Sequence, residues 1–238
     1  GLIFGASGSG KSFSAKREIT SVLLNKNANC YIIDPDDEYT PIADAFGGTI
    51  IKISPGNGVY INPFDLDIDT SADLNPITMK IDFICGLLET MIGNNAKLSS
   101  TQISIVTRCV QQIYRPYLEH LQELPPDENG RKRTIDRNYC PTMQNLFDAL
   151  INQPQSEAQN LALIMETYTA GAFDTFAHRT NVDIDNKFII FNISNIGTNL
   201  KELGLKICVN HVWNKMVENR RNKKWTWFYI DEFHLLLK

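Results

Sequence analysis

The octapeptide Gly5–Ser12 constrains the fold of this chain more than any other segment. It reads GASGSGKS and matches the pattern G-x-x-x-x-G-K-[ST] without a gap. It lies between the apolar run Leu2-Ile3-Phe4 and a helix predicted from Lys11 to about Leu24. Such a loop points successive backbone N–H groups at phosphate oxygens, in conformations that glycine tolerates. Strand, glycine-rich loop and helix in this order predict a phosphate-binding site at the start of an α/β domain.

The residues of this loop have distinct expected roles. The helix that starts near Gly10 adds its positive N-terminal end to the site. Lys11 is expected to reach the β- and γ-phosphates and assist catalysis, and the Ser12 hydroxyl to bind Mg²⁺. A chance Gly/Ser turn is the alternative, and the flanking elements argue against it. We therefore expect ATP and Mg²⁺ as cofactors, with the nucleotide bound by Gly5, Ala6, Ser7, Gly8, Ser9, Gly10, Lys11, Ser12 and Phe13.

An acidic pair near the other end of the sequence is the candidate hydrolytic centre. Trp225–Ile230, WTWFYI, predicts a buried strand that leads directly into Asp231-Glu232. Asp231 at the strand tip can be held beside Mg²⁺ through a water, and Glu232 can then orient and deprotonate the attacking water. An acidic pair that merely caps a turn is the alternative. The phosphate loop upstream favours the hydrolytic interpretation.

A third acidic cluster, Asp34-Pro35-Asp36-Asp37-Glu38, follows a second predicted strand at Cys30–Asp34. Neighbouring strands would bring Asp34 or Glu38 near the nucleotide. Asp-Pro is also an ordinary turn former, so site and turn are equal alternatives for these two weaker candidates.

The rest of the sequence predicts a sheet domain interrupted by helices. A short helix at Tyr39–Phe46 and a strand at Thr49–Ile53 continue the alternation of β and α segments, which is typical of a parallel sheet. From Asn75 to Ala172 almost nothing predicts a strand. Ser99 and Gln102 have the spacing of a capping box, and a helical stripe along one face is formed by Ile77, Ile81, Ile84, Leu88 and Met91. A strand at Lys187–Ile193 and a helix at Leu200–Asn219 then restore the α/β pattern. One side of this helix is predicted to carry Leu203, Ile207, His211 and Met216.

Composition limits the classes of function without deciding among them. The 238 residues carry a net charge of −4, which argues against a protein that coats nucleic acid through its whole surface but does not exclude a DNA motor. The triplet Arg131-Lys132-Arg133 is more typical of a solvated loop than of a nucleic-acid contact. We expect no signal peptide, and no apolar run in the given sequence approaches the ~18–20 residues that span a bilayer. The five scattered cysteines predict reduced thiols in a cytosolic protein.

Several segments together resemble the VirB-four/TraC type of conjugation ATPase, a relative of the HerA/FtsK motors. They are the phosphate loop, IIDPDDEYTPIADAFGG, YINPFD, FAHRTNVDIDNKFIIFNI and FYIDEFHLLL, in that order. The resemblance implies an α/β fold: a RecA-like P-loop core, with a mainly parallel sheet and flanking helices, that carries an inserted all-α subdomain. The expected segments are 1–70 and 179–238 for the core, ending at the strand before Asp231, and 71–178 for the insert.

The same resemblance implies a function and partners. The expected protein is a motor subunit that hydrolyses ATP to power conjugative transfer or type IV secretion. It would form a ring, expected to be a hexamer, in the cytoplasm, and would reach the inner face of the cell membrane through other secretion components and without direct insertion. DNA is a further candidate partner.

The sequence also departs from the family pattern. Asn192 stands where an acidic residue is expected, and we expect a fragment that lacks the end strands of the sheet, the downstream glutamine motif, the arginine finger and the family's amino-terminal domain. Alone it is expected to be inactive.

Two alternatives stay open at this point. A HerA/FtsK-like DNA translocase shares the fold and the site, and DNA-stimulated, salt-dependent activity would favour it. A nucleotide-dependent assembly scaffold would need little turnover, and Glu232 argues against it because a scaffold needs no positioned base. A kinase is less well supported, since no acceptor-binding segment is recognisable.

Overall fold

The computed structural model describes residues 10–25, 27–66, 75–126, 136–184 and 186–233. The chain divides into two compact units. One, here the sheet unit, combines Gly1–Asn57 with Val182–Lys238, and the other, here the helical unit, is Gly58–Asn181. The predicted strand Leu2–Phe4, the loop residues Gly5–Ser9 and the triplet Arg131–Arg133 lie outside the described residues. The predicted division into a core of 1–70 and 179–238 and an insert of 71–178 stays a prediction.

The elements of the described ranges follow in this order: α1 (Lys11–Leu23), β1 (Ala28–Asp34), α2 (Thr40–Phe46), β2 (Thr49–Lys52), α3 (Pro76–Ile92), α4 (Ser100–Glu123), α5 (Met143–Ile151), α6 (Ser156–Thr169), a 3₁₀ turn (Asp174–Phe176), β3 (Phe188–Asn192), α7 (Thr198–Arg221) and β4 (Trp225–Ile230). Alternation of strands and helices gives the sheet unit, and the helices between β2 and β3 give the helical unit.

The four strands form one parallel sheet in the order β2-β3-β1-β4. The register pairs Asp34 with Asn192 and Ile33 with Ile230, so the carboxyl ends of three strands meet at one edge. Every residue of β1 and β3 is buried, which explains why both read as continuous apolar runs. The predicted parallel α/β sheet is confirmed.

Helices α1 and α7 cover opposite faces of this sheet. The Asn219 amide of α7 donates to the Thr226 hydroxyl, and the Tyr229 hydroxyl donates to Glu18 of α1. Thr226 and Tyr229 are three positions apart on β4, so their side chains point to opposite faces. Ile19 and Val22 of α1 pack on Cys30, Ile32, Phe188 and Ile190 to form the core on the α1 side.

The predicted burial of β4 is wrong, although the strand itself is present. Trp225 is 73% exposed and Trp227 is 43% exposed. Among the described strands β4 pairs with β1 alone and lies at one end of the strand order. Its aromatic residues match the sequence pattern of a buried strand. That pattern does not show whether a strand has a neighbouring strand on both sides.

The predicted side of α7 holds only in its first half. Leu203 and Ile207 are buried, whereas His211 and Met216 are half-exposed. The buried face continues instead through Val212 and Asn219. Asn219 is only 6% exposed, and its burial is tolerated because its amide donates to the hydroxyls of Thr226 and Tyr31. A polar residue can therefore lie on the buried face, which an apolar pattern does not reveal.

The helical unit follows its sequence signals closely. The predicted stripe of α3 is buried at each of its positions, namely Ile77, Ile81, Ile84, Leu88 and Met91. The predicted capping box at Ser99 and Gln102 starts α4, with reciprocal bonds of 3.2 and 2.8 Å. In the described ranges between Asn75 and Ala172 there is no strand.

Polar side chains tie the first and last segments of the helical unit together. The Thr180 hydroxyl donates to Asp65 Oδ2 at 2.6 Å and accepts from the Asn62 N–H at 2.8 Å. Asn62 Nδ2 donates to Asp65 Oδ1 at 3.2 Å and to the Pro141 carbonyl at 2.8 Å. Asn181 Nδ2 donates to the Gly58 carbonyl at 2.7 Å. The segments YINPFD and RTN thus form one polar junction, here the junction of the helical unit, in which Asn62 and Asp65 are buried and Asn181 is exposed.

Buried hydroxyl and amine donors satisfy the backbone of the same junction. Tyr114 donates to the Phe64 carbonyl, Tyr117 to the Leu66 carbonyl, and the buried Lys80 amine to the Pro63 carbonyl. An unpaired carbonyl in this position would cost about 1–3 kcal/mol. The junction therefore depends on donors that come from α3 and α4.

Within the described ranges, none of the helices is long and apolar enough to cross a membrane.

Candidate nucleotide-binding and hydrolytic site

The start of α1 carries the described part of the phosphate loop. Gly10 precedes the helix at φ 85°, a left-handed conformation that favours glycine, and Lys11 and Ser12 are the first two helical residues. The first N–H groups of a helix have no partner within the helix and can bind an anion. Lys11 and Ser12 are half-buried, whereas Phe13 is 75% exposed.

Asp34 organises the turn that follows β1. Its Oδ1 accepts from the backbone N–H of Glu38 at 3.0 Å and of Asp36 at 3.4 Å, and its Oδ2 accepts from that of Tyr39 at 2.9 Å. The side chain is fully buried. These contacts favour the turn-forming role for Asp34, because both oxygens are already used by the backbone.

Glu38 lies at the other end of this turn, beside α1. Its Oε2 is 3.8 Å from Lys16 Nζ, and both side chains remain substantially exposed, at 40% and 36%. Lys16 Nζ also lies 5.5 Å from the centre of the Tyr39 ring. Lys16 is one helical turn beyond Ser12, so the acidic turn contacts the helix that starts at the phosphate loop.

Asp231 is held at the carboxyl end of β4. Its backbone N–H donates to the Ile33 carbonyl at 3.1 Å, and its Oδ1 accepts from the Glu232 N–H at 3.0 Å. The Tyr39 side chain lies near its carboxylate. Burial raises the pKa of Asp231, the Glu232 N–H and the Tyr39 side chain lower it, and the charges of Glu38 and Glu232 raise it further. Glu38 and Glu232 therefore lie close enough to repel the Asp231 carboxylate, an environment that favours a bound cation.

The residues present fit Mg²⁺. This ion prefers oxygen ligands and usually keeps several waters, so it needs only one or two carboxylates plus phosphate oxygens. Asp231 supplies a carboxylate that neighbouring negative charge destabilises, and Ser12 supplies a hydroxyl at the start of α1. Among the described residues no group of three or more His, Cys, Asp or Glu forms an all-protein metal cage.

Glu232 has an unusual backbone conformation. Its φ is 50°, in the left-handed region that residues with a Cβ rarely adopt. Such a conformation costs on the order of 1–3 kcal/mol and is found disproportionately at active sites. The candidate base is therefore held by a strained turn directly after the strand, a feature with no signal in the sequence.

Asn192 has a specific set of partners at the end of β3. Its Nδ2 donates to Asp37 Oδ1 at 2.6 Å, and its Oδ1 accepts from the N–H and hydroxyl of Ser194. A carboxylate at this buried position would face the carboxylate of Asp37. The departure from the expected acidic residue is thus explained by its partner, because the amide of Asn192 can donate to Asp37 and an ionised carboxylate cannot.

The structure brings together some of the predicted residues. Glu38, Asp231 and Glu232 lie close to one another, whereas Asp34 serves the turn. Lys11 and Ser12 start the helix that Glu38 contacts through Lys16. Sequence reasoning missed Tyr39, whose only signal was its place directly after Glu38 at the end of the acidic cluster.

Comparison with known families decides the class of this protein. The sequence matches the family model described as "Helicase HerA, central domain" over residues 2–216. The chain belongs to this family. Its members are P-loop ATPases, so ATP binding and hydrolysis are the activities of the class. The predicted relationship to HerA-type ATPases is confirmed.

The fold is shared with solved structures, of which fourteen chains match. VirB4 of Thermoanaerobacter pseudethanolicus superposes with a TM-score of 0.75 at 20% sequence identity, covering 96% of this chain and 82% of that one. This likeness supports the α/β P-loop architecture. Comparison with curated proteins gave no match.

Proposed function

We propose that this protein is the ATP-hydrolysing part of a motor subunit that powers conjugative transfer or type IV secretion. The observation that carries the proposal is the acidic site at the carboxyl edge of the sheet. There Asp231 and Glu232 follow β4 and lie beside Glu38, and the acidic turn contacts α1 through Lys16. This is the side of a parallel α/β sheet where ligands bind.

Each residue has a proposed role in hydrolysis. Lys11 binds the β- and γ-phosphates, assisted by the backbone of Gly5–Gly10, and Phe13 lies at the margin of the nucleotide site. Ser12 and Asp231 hold Mg²⁺, which when bound neutralises charge on the phosphates. Glu232 orients the attacking water and accepts its proton. Glu38 is the next candidate for the base, because its carboxylate lies close to Asp231.

The biological setting is part of the same proposal. The segments IIDPDDEY, INPFD and RTNVD resemble VirB-four/TraC ATPases, and the fold matches VirB4 of Thermoanaerobacter pseudethanolicus. They support a cytoplasmic protein that assembles as a hexameric ring and reaches the inner face of the membrane through other secretion components. They also support an insert at 71–178 within a RecA-like core.

A DNA translocase is the second candidate function, favoured by the family description as a helicase central domain. ATP hydrolysis that DNA stimulates, with binding that weakens steeply as salt rises, would favour this function. Hydrolysis that is indifferent to DNA would favour the secretion motor. A scaffold with little turnover would leave the strained Glu232 without a use.

Two substitutions in the full-length protein test the ATPase proposal. Lys11→Ala should abolish measurable ATP affinity with the fold intact, because it removes the point charge at the phosphates. Glu232→Gln should bind ATP as tightly as the unmodified protein and hydrolyse it about 10²–10⁴-fold more slowly, because an amide is a poor base. Calorimetric titration and steady-state phosphate release measure the two effects.

Matched controls come from the exposed ion pair Glu202–Lys206 of α7. Glu202→Gln and Lys206→Ala should leave binding and turnover unchanged. Equal ATP affinity of Lys11→Ala and the unmodified protein would contradict the phosphate-loop assignment. An unchanged rate of ATP hydrolysis by Glu232→Gln would overturn the mechanism proposed here, and Glu38 would become the candidate for the general base.

A further inference from the structure

The chain crosses between its two units at two places. It leaves the sheet unit after Asn57 and returns to it after Asn181. Residues 53–57 link the end of β2 to the first crossing, and residues 182–187 link the second crossing to the start of β3. The segments INPFD and RTNVD lie beside these crossings, and neither has a role in the ATP hydrolysis proposed above.

The side chain and backbone of Asn181 hold the two crossings together. Its Nδ2 donates to the Gly58 carbonyl at 2.7 Å, and its Oδ1 accepts from the Tyr60 N–H at 2.9 Å. Its own N–H donates to the Tyr60 carbonyl at 3.3 Å. An asparagine suits this position because its amide donates and accepts at once. These three bonds, here the Asn181 clamp, pair the first residues of the helical unit with its last.

The clamp is continuous with the buried part of the junction. The hydroxyl of Thr180, the preceding residue, binds the Asn62 N–H and the Asp65 carboxylate, and Asn62 and Asp65 are both buried. The rings of Tyr60 and His178 lie with their centres 4.1 Å apart. The two crossings therefore leave the helical unit from one place, which its core holds fixed.

The first link has a different construction. Gly56 and Gly58 both have a φ of 75°, and an added Cβ would meet none of the described atoms within 4 Å at either position. Backbone conformation therefore requires glycine here, whereas packing does not. The link also begins beside the acidic turn, since Lys52 Nζ is 3.7 Å from Asp37 Oδ2. Hinges are built from a few link residues of this kind, which absorb changes in φ and ψ.

We propose that nucleotide binding bends the two links and turns the helical unit as one body, because the Asn181 clamp stays closed. The inference rests on the proposed function, since the nucleotide site of the sheet unit supplies the change. With the clamp closed, bending at the links cannot pull the two ends of the helical unit apart. The segments INPFD and RTNVD thus serve as the fixed side of a hinge.

Hydrogen exchange in the full-length protein tests this hinge. The amides of Tyr60 and Asn181 are themselves donors of the clamp, so their exchange reports its opening directly. The probe is adenylyl-imidodiphosphate, a non-hydrolysable ATP analogue, with Mg²⁺. Exchange at both clamp amides should stay within about twofold when the analogue binds, whereas exchange at Gly56 and Val182 should change by at least about tenfold.

Asn181→Ala tests the clamp itself, since it removes both side-chain bonds. Exchange at the Tyr60 amide should become about 10–100-fold faster, with the far-UV circular dichroism spectrum unchanged. Asn152→Ala is the matched control. Asn152 is also exposed, and its Nδ2 donates to a carbonyl at the same distance of 2.7 Å, but its partner is Asp148 of α5. This control should leave exchange at Tyr60 unchanged.

The outcomes separate the hinge from the proposed function. Faster exchange at the clamp amides when the analogue binds would overturn the hinge, because the clamp would then open. Binding of the analogue with no change at either link would also overturn it and leave the ATPase proposal standing. No binding of the analogue or of ATP in calorimetric titration would overturn both. Unchanged exchange at Tyr60 in Asn181→Ala, or an equal increase in Asn152→Ala, would show that Asn181 does not hold the crossings together.

Discussion

The acidic turn of the sheet unit and the junction of the helical unit use their carboxylates in opposite ways. At the turn, Glu38 is 40% exposed, and the negative charges of Glu38 and Glu232 repel the Asp231 carboxylate. At the junction, Asp65 is 9% exposed and accepts from Thr180 and Asn62. Both regions contain segments that resemble the same family, yet only the turn presents negative charge to a ligand.

The difference teaches that a family-specific motif need not carry chemistry. The same contrast exists within the turn itself. Both carboxylate oxygens of Asp34 accept hydrogen bonds from backbone N–H groups, whereas Glu38, four residues later, has an ion pair with Lys16 and stays exposed. A buried carboxylate whose oxygens accept backbone N–H groups stabilises a loop. A carboxylate near other carboxylates is destabilised by electrostatic repulsion, which a bound cation reduces.

The largest expected effect on stability is that of Asp34→Ala. Three backbone N–H groups lose their acceptor, and that of Tyr39 is buried, so the free energy of unfolding should fall by about 2–4 kcal/mol. Urea denaturation measures it. Asp36→Ala is the control, since Asp36 has an exposed ion pair with Lys201 at 3.6 Å and should cost less than about 1 kcal/mol. Similar losses for the two variants would mean that the turn does not depend on Asp34.

Asn192→Asp should have an intermediate effect. It replaces the amide that donates to Asp37 by a second carboxylate in a buried position, and should cost roughly 1–3 kcal/mol near neutral pH. Adding Asp37→Asn should restore most of the loss, because it returns an amide donor at a φ of 59° that asparagine tolerates. Failure of this second substitution to recover stability would show that the pair does not explain the asparagine.

The smallest expected effect is a change in pH dependence for Asp65→Asn. Burial raises the pKa of Asp65 above its ordinary value of 3.8, and the bond from Thr180 and the charge of Arg137 oppose this only in part. The folded state thus holds the proton more tightly than the unfolded state. This contribution to stability is fully present below pH 3.8 and is lost as the pH rises through the folded-state pKa.

The asparagine variant lacks this titration. As the pH is raised from below 3.8, the unmodified protein should therefore lose stability relative to Asp65→Asn. The measurement is the difference between their urea midpoints across a pH series. A difference that stays constant would mean that folding does not shift the pKa of Asp65, which contradicts the prediction. A change in the opposite direction would mean that the junction favours the ionised form, as the Asp34 turn does.

The sequence by itself determined the elements that follow from short-range physics. The glycine-rich loop and helix at Gly10–Leu23, the capping box at Ser99 and Gln102, and the apolar stripe of α3 each follow from spacing along the chain. The parallel sheet follows from alternating β and α segments. The acidic pair after a strand identified Asp231 and Glu232 as candidates, and their roles stay predictions.

Only the tertiary structure decided which polar groups meet. Asp34 and Glu38 look alike in sequence, and their difference depends on which N–H groups the turn directs at Asp34. The hydrogen bond of Asn192 to Asp37 joins residues more than 150 positions apart. Likewise, the exposure of Trp225 depends on the place of β4 in the sheet. Local pattern fixes an element and its buried face, whereas hydrogen-bond partners and strand order depend on packing between distant segments, which spacing along one chain does not encode.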